Sequence, residues 1–271
     1  MALIFLGANS ILAKAALVND FIDAYSFTFF RIFSGTLTLL LLLFFKQKNI
    51  TLTKDKNWLS SFMLFLYAIT FSYAYLSLDA GLGTLLLFGV VQLSMIVIAL
   101  FKNEKITLQK TIGMIIAFVG LVYLLYPRES FELSLFHSFL MILSGIAWAV
   151  YTVLGKESTD ALFNTTDNFV KALLFVGLMY FIFMDNTYVS LNGVLLACIS
   201  GALTSAIGYT IWYYVLPQLQ IVTASIIQLI IPIIAIFFSI ILLGEELTFT
   251  LLLSTLIILG GIIVTLKKSS S

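Results

Sequence analysis

Long runs without a charged residue dominate this chain, and they constrain its fold more than any motif does. Five of them lie at 57–78, 80–101, 111–127, 133–155 and 247–266. Each has room for one helix across a bilayer, which takes about 20 apolar residues, and charges at the bilayer centre are strongly disfavoured. Because 61% of the residues are hydrophobic and only 10% are charged, we predict an integral membrane protein rather than a disordered chain or a soluble enzyme.

The remaining apolar sequence accommodates five more helices. The run 186–244 is too long for one helix and is predicted to hold two. Its break is placed at 216–220, where Pro217 removes a backbone donor and two glutamines interrupt the apolar sequence. A polar stretch at 159–168 is taken as a loop. The other three helices are predicted at 2–18, 24–45 and 169–184. The fold class is therefore all-α, with ten transmembrane helices.

The positions of lysine and arginine predict the orientation of the helices, because cytoplasmic loops collect these residues. Eleven cations fall in the loops of one side and in the tail: Lys46, Lys48, Lys54, Lys56, Lys102, Lys105, Lys110, Lys156, Lys171, Lys267 and Lys268. The opposite loops hold only Arg128. Both termini are therefore predicted to be cytoplasmic, in the inner membrane of a bacterium. The net charge of +1 provides no basic excess for binding nucleic acid.

The chain also aligns with itself. A shift of 141 residues pairs Glu104 with Glu245, and a shift of 142 pairs Lys14 with Lys156. The two repeats are predicted to span residues 1–127 and 134–268. Because each holds five helices, an odd number, the second repeat has to be inverted relative to the first. Inverted repeats are typical of secondary transporters, in which two similar halves exchange conformations around a midplane site. A duplicated membrane protein without a transport role is the alternative.

Several short motifs occur in a characteristic order along the chain. They are Gly7-Ala8-Asn9 followed by Lys14, an aromatic-rich second helix that reaches Arg31, Trp148-Ala149-Val150-Tyr151 at the start of the second half, and Leu243-Gly244-Glu245 followed by Thr248. In this order the chain resembles the EamA-type drug/metabolite transporter superfamily. It departs from that pattern at Leu6, where a tryptophan is common, and at Asn103, where a glycine is common. The resemblance implies a ten-helix basket with a central cavity for amino acids or other small metabolites.

Polar and aromatic residues that share one face of a helix are the candidates for lining such a cavity. Tyr209, Trp212 and Tyr213 recur at helical spacing, and Gln92 and Gln228 are glutamines inside otherwise apolar helices. The substrate-binding candidates are Asn9, Thr84, Phe88, Gln92, Trp148, Tyr151, Tyr209, Trp212, Tyr213 and Gln228. Aromatic faces favour planar or apolar solutes and can attract an ammonium group. Helix packing is the alternative role for each of these residues.

Charges inside or beside the helices are the candidates for substrate binding and coupling. Lys14 and Arg31 are embedded in apolar segments, where ionisable groups are costly and usually face a cavity or a partner. Arg31 is expected to bind either a substrate carboxylate or polar groups of helix 1, and Lys14 either acts there or reaches outward to water. The acidic candidates at helix ends are Asp79, Glu104 and Glu245. No carboxylate is placed in the middle of a helix, so a midplane proton relay is disfavoured.

The expected function is secondary transport of a small amphipathic metabolite, with the export of an amino acid as the first hypothesis. Import of a nucleotide- or nucleoside-containing metabolite and a channel-like permease are the alternatives. An ATP-binding motif is absent, and one histidine and one cysteine provide neither an enzyme active site nor a metal site. No cofactor is expected. The partners are the bilayer and the substrate, and a homodimer is left open. Pro232, in the middle of a predicted helix, is a candidate hinge.

Overall fold

The computed structural model describes residues 1–46, 58–104, 106–125, 134–183, 187–243 and 249–266. These residues form an all-helical fold of ten helices, as the charge spacing predicts. The first half contains α1 (Ala2–Val18), α2 (Ala24–Lys46), α3 (Trp58–Ala74), α4 (Ala80–Phe101) and α5 (Leu108–Leu125). The second half contains α6 (Leu135–Gly155), α7 (Ala161–Phe183), α8 (Leu191–Gln218), α9 (Ile221–Leu243) and α10 (Phe249–Leu266).

Two helices of the second half are irregular where they approach the centre of the molecule. The α8 helix is α-helical over Leu191–Ile199, π-helical over Ser200–Ile207 and α-helical again over Gly208–Val215. It ends in a short 3₁₀ turn, Leu216–Gln218. This turn lies where the proline and the two glutamines predict the break between helices 8 and 9.

The α9 helix is interrupted at Gln228 and Leu229, between the segments Ile221–Ile227 and Ile230–Leu243. Pro232 lies one turn beyond the interruption and has no N–H to donate to the carbonyl of Gln228. That carbonyl instead accepts a bond from the Ile231 N–H at 2.9 Å. The proline therefore explains why α9 is split at this position.

The helices have the length and the surface expected in a bilayer. Six of them, α2, α4, α6, α7, α8 and α9, are long and apolar enough to cross a membrane. The other four contain shorter apolar stretches of 10–17 residues. Large apolar side chains such as Phe45, Phe101 and Leu178 are exposed, whereas polar side chains such as Asn9 and Gln92 are buried. This distribution suits a protein whose outer surface contacts lipid.

Corresponding helices of the two halves run in opposite directions. At one end, Lys46, the last residue of α2, pairs with Asp160 before α7 at 2.9 Å. At the other end, Asp23 before α2 accepts a bond from the backbone N–H of Tyr188, which follows α7, at 2.9 Å. The helices α2 and α7 are therefore antiparallel, which the predicted inversion of the two repeats requires.

In both repeats, an aspartate side chain caps the beginning of this helix. The carboxylate of Asp23 accepts a bond from the N–H of Ser26 at 2.8 Å, and that of Asp160 accepts one from the N–H of Phe163 at 3.1 Å. Each aspartate caps the first turn of its helix from the same relative position. The pairs α4 with α9 and α5 with α10 also pack on each other, as an exchange of the two halves requires.

One predicted boundary is wrong. The sequence places residues 159–168 in a loop and starts the helix at 169, whereas α7 begins at Ala161. Thr165, Thr166, Asp167 and Asn168 lie inside the helix and are buried. Their polar groups bond to protein rather than to water: Thr165, Thr166 and Asp167 have partners within α7, and Asn168 accepts a bond from Ser61 of α3. Lys171, counted above among the loop cations, is buried within the same helix.

Candidate functional site

The guanidinium group of Arg31 lies at the centre of the molecule. It donates to three hydroxyl groups: from Nε to Ser205 at 3.0 Å, and from Nη2 to Tyr67 at 3.2 Å and Tyr209 at 2.6 Å. Its Cζ atom also lies 5.1 Å from the centre of the Phe71 ring. Arg31 is 1% exposed. The charge that is costly in a bilayer is therefore held by hydroxyl groups and aromatic faces of α3 and α8.

Asn9 on α1 lies beside Arg31 and bonds to the π-helical segment of α8. Its amide oxygen accepts bonds from Ser200 at 2.6 Å and Thr204 at 2.7 Å. Its amide nitrogen donates to Ser205 at 3.1 Å and to Tyr209 at 3.3 Å. Arg31 and Asn9 thus share two partners, and the two halves of the chain meet in one hydrogen-bonded network.

The π-helical geometry of 200–207 brings this segment very close to α2. A Cβ atom on Gly201 would lie 2.1 Å from the backbone oxygen of Arg31, so only glycine fits there. Local π-helical turns are frequent at functional sites. Here the turn presents Ser200, Thr204 and Ser205 to the same face of α8.

Aromatic rings form the wall next to Arg31. The ring of Trp148 lies 4.8 Å from that of Tyr67 and 4.9 Å from that of Tyr209, measured between ring centres. The Tyr151 and Tyr213 rings are 4.9 Å apart and continue the wall toward the end of α6. We call Tyr67, Trp148, Tyr151, Tyr209 and Tyr213, together with Asn9 and Arg31, the central cluster. Its residues come from α1, α2, α3, α6 and α8.

Gln228 connects the cluster to the interruption of α9. Its amide oxygen accepts a bond from the indole N–H of Trp148 at 2.7 Å, and its amide nitrogen donates to the sulfur of Met95 at 3.3 Å. A movement of α9 at this interruption would therefore displace a side chain that holds Trp148. The hinge role of Pro232 stays a prediction, and the split helix beside it is the structural observation that supports it.

Several buried polar atoms on α2, α4 and α8 have no hydrogen-bond partner among the described residues. They include Nη1 of Arg31, both amide atoms of Gln92 and the indole nitrogen of Trp212. Buried polar groups in proteins are nearly always paired, since an unpaired one costs about 1–3 kcal/mol. These atoms are therefore available to a ligand or to water molecules inside the protein.

Two predicted residues, Thr84 and Phe88, lie in the first half of α4. The hydroxyl of Thr84 donates to the Ala80 carbonyl at 2.6 Å and lies 2.8 Å from the Tyr75 hydroxyl. Phe88, one turn further on, is buried. The structure thus connects Thr84 to the end of α3, and neither residue is among the hydrogen-bond or ring contacts of the central cluster described here.

Two of the charged candidates at the helix ends, Glu104 and Asp79, lie outside the cluster as well. Glu104, after α4, accepts bonds from the backbone N–H groups of Ile221 at 2.9 Å and Val222 at 3.2 Å. It therefore caps the beginning of α9. Asp79 is exposed and occupies the N-cap position of α4 without a capping bond from its side chain. Glu245 lies outside the described residues.

Lys14 and Lys156, the lysines that the repeat pairs, make equivalent contacts. Lys14, near the end of α1, donates to the backbone oxygen of Tyr75 between α3 and α4 at 3.4 Å. Lys156, just after α6, donates to the backbone oxygen of Leu219 between α8 and α9. Burial lowers the pKa of Lys156, and the nearby charge of Glu104 opposes that shift. Because the halves are inverted, the two contacts lie at opposite ends of the molecule.

Sequence patterns missed some members of the cluster. Tyr67 belongs to α3, for which the sequence predicts no site residue, although it forms bonds to both Arg31 and Tyr209. Ser200, Thr204 and Ser205 are small hydroxyl residues, which are common in membrane helices, so their residue type alone does not indicate a site. Their spacing of one helical turn was the signal that could have identified them.

The comparison with protein families decides what kind of protein contains this cluster. The profile of the EamA-like transporter family matches residues 1–126 and 135–267. The chain belongs to the EamA-like transporter family. An EamA-like chain with several long apolar helices is a multi-pass membrane protein and a transporter rather than an enzyme, as the sequence predicts.

Several relatives agree with the EamA-like assignment. The uncharacterized protein PA1977 of Pseudomonas aeruginosa is 40% identical over 97% of this chain and 91% of its own length. The uncharacterized transporter YoaV of Bacillus subtilis is 24% identical over 87% of this chain and 85% of its own. The S-adenosylmethionine uptake transporter of Rickettsia felis is 24% identical over 58% of this chain and 53% of its own.

A solved structure supports the fold independently. Its chain superposes on this one with a TM-score of 0.76, and the match covers 97% of both chains at 14% sequence identity. At that identity the likeness concerns the fold alone. The EamA-like fold described above is therefore one that has been observed by crystallography.

Proposed function

We propose that this EamA-like protein is a secondary transporter that exports small amphipathic metabolites, amino acids foremost, through the central cluster by alternating access. We place it in the bacterial inner membrane with both termini in the cytoplasm. The observation that carries the proposal is the buried guanidinium of Arg31, which keeps one nitrogen unpaired and is flanked by aromatic rings from both halves of the chain.

The chemistry of Arg31 selects the substrate class. A guanidinium group binds a carboxylate through paired N–H donors, and the unpaired Nη1 supplies such a donor without breaking an existing bond. The three hydroxyl groups that hold Arg31 fix its orientation. A substrate with one carboxylate is therefore favoured over one with several phosphates, since Arg31 is the only charged residue of the central cluster.

The aromatic wall suits the rest of an amino acid. The rings of Trp148, Tyr67 and Tyr209 pack together beside Arg31, and ring faces attract an ammonium group and pack against an apolar side chain. The cluster residues Asn9, Arg31, Trp148, Tyr151 and Tyr209 are each at most 1% exposed. The site is thus closed to both sides, as expected of an occluded state in an alternating-access cycle.

Counterflow in liposomes tests the proposal. Purified protein is reconstituted with an unlabelled amino acid inside, and uptake of labelled amino acids is measured from a panel of apolar, aromatic, polar and charged members. We expect saturable uptake that depends on the internal amino acid. Failure of every member to exchange, with correctly folded and inserted protein, would contradict the proposal. Saturation and counterflow also distinguish a carrier from the channel-like alternative.

Import of a nucleoside-containing metabolite is the second candidate, and one comparison favours it. The relatives from Rickettsia are named S-adenosylmethionine uptake transporters. S-adenosylmethionine carries an amino-acid group, which suits Arg31, and an adenine ring and a sulfonium cation, which suit aromatic faces. Including this compound in the counterflow panel decides between the two candidates. Exchange of S-adenosylmethionine in preference to all amino acids would support the second.

A further inference from the structure

The described part of the chain contains one charge pair buried inside a helix, and the central cluster does not use it. The ammonium group of Lys171 donates to the carboxylate of Asp167 at 2.6 Å, both on α7. Their side chains are only 10% and 6% exposed, whereas the two other described ion pairs, Lys46–Asp160 and Lys102–Glu157, lie at the surface. Asp167 is a carboxylate inside a helix, in the segment 159–168 that the sequence predicts as a loop.

A gain in folding stability does not by itself explain why an ion pair is buried inside a helix. Removing two charges from water costs several kcal/mol for each ion, and replacing a buried pair by apolar residues is often neutral or stabilising. Ionisable residues inside membrane segments commonly mark ion pathways or proton relays. The pair on α7 is therefore a candidate for a function that requires a charge which can change.

The surroundings leave Asp167 with few partners. A carboxylate has about four acceptor positions. Among the described side chains, Lys171 is the one that donates a hydrogen bond to Asp167. The neighbouring Thr165 and Thr166 donate to carbonyl groups of their own helix instead. Lys171 lies with its nitrogen 5.5 Å from the centre of the Trp58 ring on α3. That ring can hold the ammonium group when the carboxylate is neutral.

Other ionisable groups on the helices that pack against α7 have partners of their own. On α2, Arg31 is held by Tyr67 and Tyr209, and Lys46 is paired with Asp160. Tyr25 of α2 donates to the carbonyl of Val176 on α7 itself. The remaining ionisable groups on α3 and α8 are the phenols of Tyr67, Tyr73, Tyr209, Tyr213 and Tyr214 and the thiol of Cys198. Among the cations in the described part of the chain, Lys171 is therefore the one that bonds to Asp167.

The pair is connected to the central cluster through its own helix. Phe169 of α7 packs against the ring of Tyr209 at 5.9 Å. Asn168 accepts a bond from Ser61 of α3 at 3.2 Å, and the preceding Ser60 lies 3.4 Å from the Tyr213 hydroxyl. A change in how α7 packs against α3 and α8 at Asp167 would therefore move the wall of the substrate site.

We propose that Asp167 is the proton-binding residue that couples transport to the proton gradient. A proton from water bonds to a carboxylate oxygen, the bond from Lys171 breaks, and the ammonium group stays on the Trp58 ring, so that the charge of the pair rises from zero to plus one. Substrate binding favours the paired state and releases the proton to water. This inference rests on the proposed function, and it makes the protein a proton-coupled exporter.

Proton release on binding tests the inference directly. Protein in weakly buffered detergent solution with a pH indicator receives the amino acid that the counterflow panel identifies. We expect wild-type protein to release a proton, and Asp167→Asn to bind the same amino acid without releasing one. In liposomes, Asp167→Asn should keep counterflow and lose stimulation by an imposed pH gradient. Asp160→Asn, which removes another lysine-paired aspartate beside α7, should retain both responses.

Two further measurements keep the test decisive if no substrate is available or if Asp167→Asn folds poorly. Infrared difference spectra between alkaline and mildly acidic pH need no substrate; we expect a carboxylic acid band in the wild type that Asp167→Asn lacks and Asp160→Asn keeps. Asp167→Glu retains the carboxylate and should restore gradient-driven transport if Asp167→Asn folds poorly.

Absence of the infrared band, or proton release unchanged by Asp167→Asn, would overturn the inference. Loss of all exchange in wild-type protein would instead contradict the proposed function, and the infrared result would still decide whether Asp167 binds a proton.

Discussion

Arg31 shows how one residue defines the chemistry of a site inside a membrane. Three hydroxyl donors and acceptors from α3 and α8 hold its guanidinium group, and one nitrogen stays unpaired. Its charge is retained in an apolar protein because the surrounding oxygens and ring faces replace the water that it loses. A ligand carboxylate would complete that shell.

Replacing Arg31 should therefore weaken substrates that carry a carboxylate. In Arg31→Gln we expect the affinity for an amino acid to fall at least about tenfold, since a hydrogen bond to a charged group contributes about 1.5–3 kcal/mol. The affinity for the amine that lacks only the carboxylate should change much less. Competition against labelled substrate in counterflow measures both, with Arg31→Lys as the variant that keeps the charge. Equal losses for the acid and the amine would contradict carboxylate binding.

Asp160 permits a prediction about pH. Burial acts to raise the pKa of its carboxyl group, but the bond from Lys46 and the Phe163 N–H outweigh it and lower the pKa overall. A carboxyl group whose pKa is lower in the folded state stabilises that state above its unfolded pKa, and the contribution disappears as the pH falls through the folded pKa. Asp160→Asn should therefore lower the Tm at neutral pH and converge with wild type in acid. Thermal unfolding in detergent across this pH range measures the difference; parallel curves would contradict it.

At the scale of elements, α9 is a helix in two parts with a carboxylate from the other repeat at its start. Glu104 caps Ile221 and Val222, and Gln228 at the interruption holds Trp148 of the central cluster. The segment between these two contacts connects one end of the molecule to the substrate site. Because Pro232 removes a backbone bond at the interruption, the two parts of α9 can change their angle more easily than a continuous helix could.

Loss of the Glu104 cap should destabilise this element. Removing a helix cap costs about 1 kcal/mol, which corresponds to about 2–4 °C in Tm for a chain of this size. We expect Glu104→Ala to lower the Tm by that amount and to change the rate of exchange. Asp79→Ala is the matched control, because Asp79 also stands at a helix start but makes no capping bond. Equal effects of the two substitutions would show that Glu104 acts only as a surface charge.

At the scale of the whole molecule, the inverted halves place equivalent contacts at opposite ends. Lys14 bonds to the turn between α3 and α4, and Lys156 bonds to the turn between α8 and α9. Both contacts are formed in this structure, in which the central cluster is buried. Alternating access requires that one end opens while the other stays closed, so each lysine is expected to stabilise the closure of its own end.

The two lysine substitutions should therefore shift the protein in opposite directions. We expect Lys156→Ala to increase labelling of a cysteine at Gln92 from the side of Lys156, and Lys14→Ala to increase it from the other side. The reporter is Gln92→Cys in a Cys198→Ser background, treated with an impermeant thiol reagent in vesicles of both orientations. Increased labelling from the same side for both variants, or from neither, would contradict this symmetry.

The sequence by itself determined the segmentation of the chain and the relation between its halves. Spacing of charges along the chain identified ten apolar segments because burying a charge in lipid is costly wherever it occurs. The repeat can be recognised because Lys14 and Lys156 occupy corresponding positions in two halves of five predicted helices each. Candidates such as Asn9, Trp148 and Tyr209 lie in the central cluster because they are polar or aromatic residues on otherwise apolar helices.

Only the tertiary structure decided which residues meet. Arg31 and its partner Tyr209 are separated by 178 positions, and Asn9 and Ser200 by 191, so no local pattern contains their pairing. The same reason explains the error at 159–168, where polar side chains predicted a loop but lie inside α7. A polar residue is compatible with water or with a protein partner, and the packing of α7 against α3 determines which of the two surrounds Asp167 and Asn168.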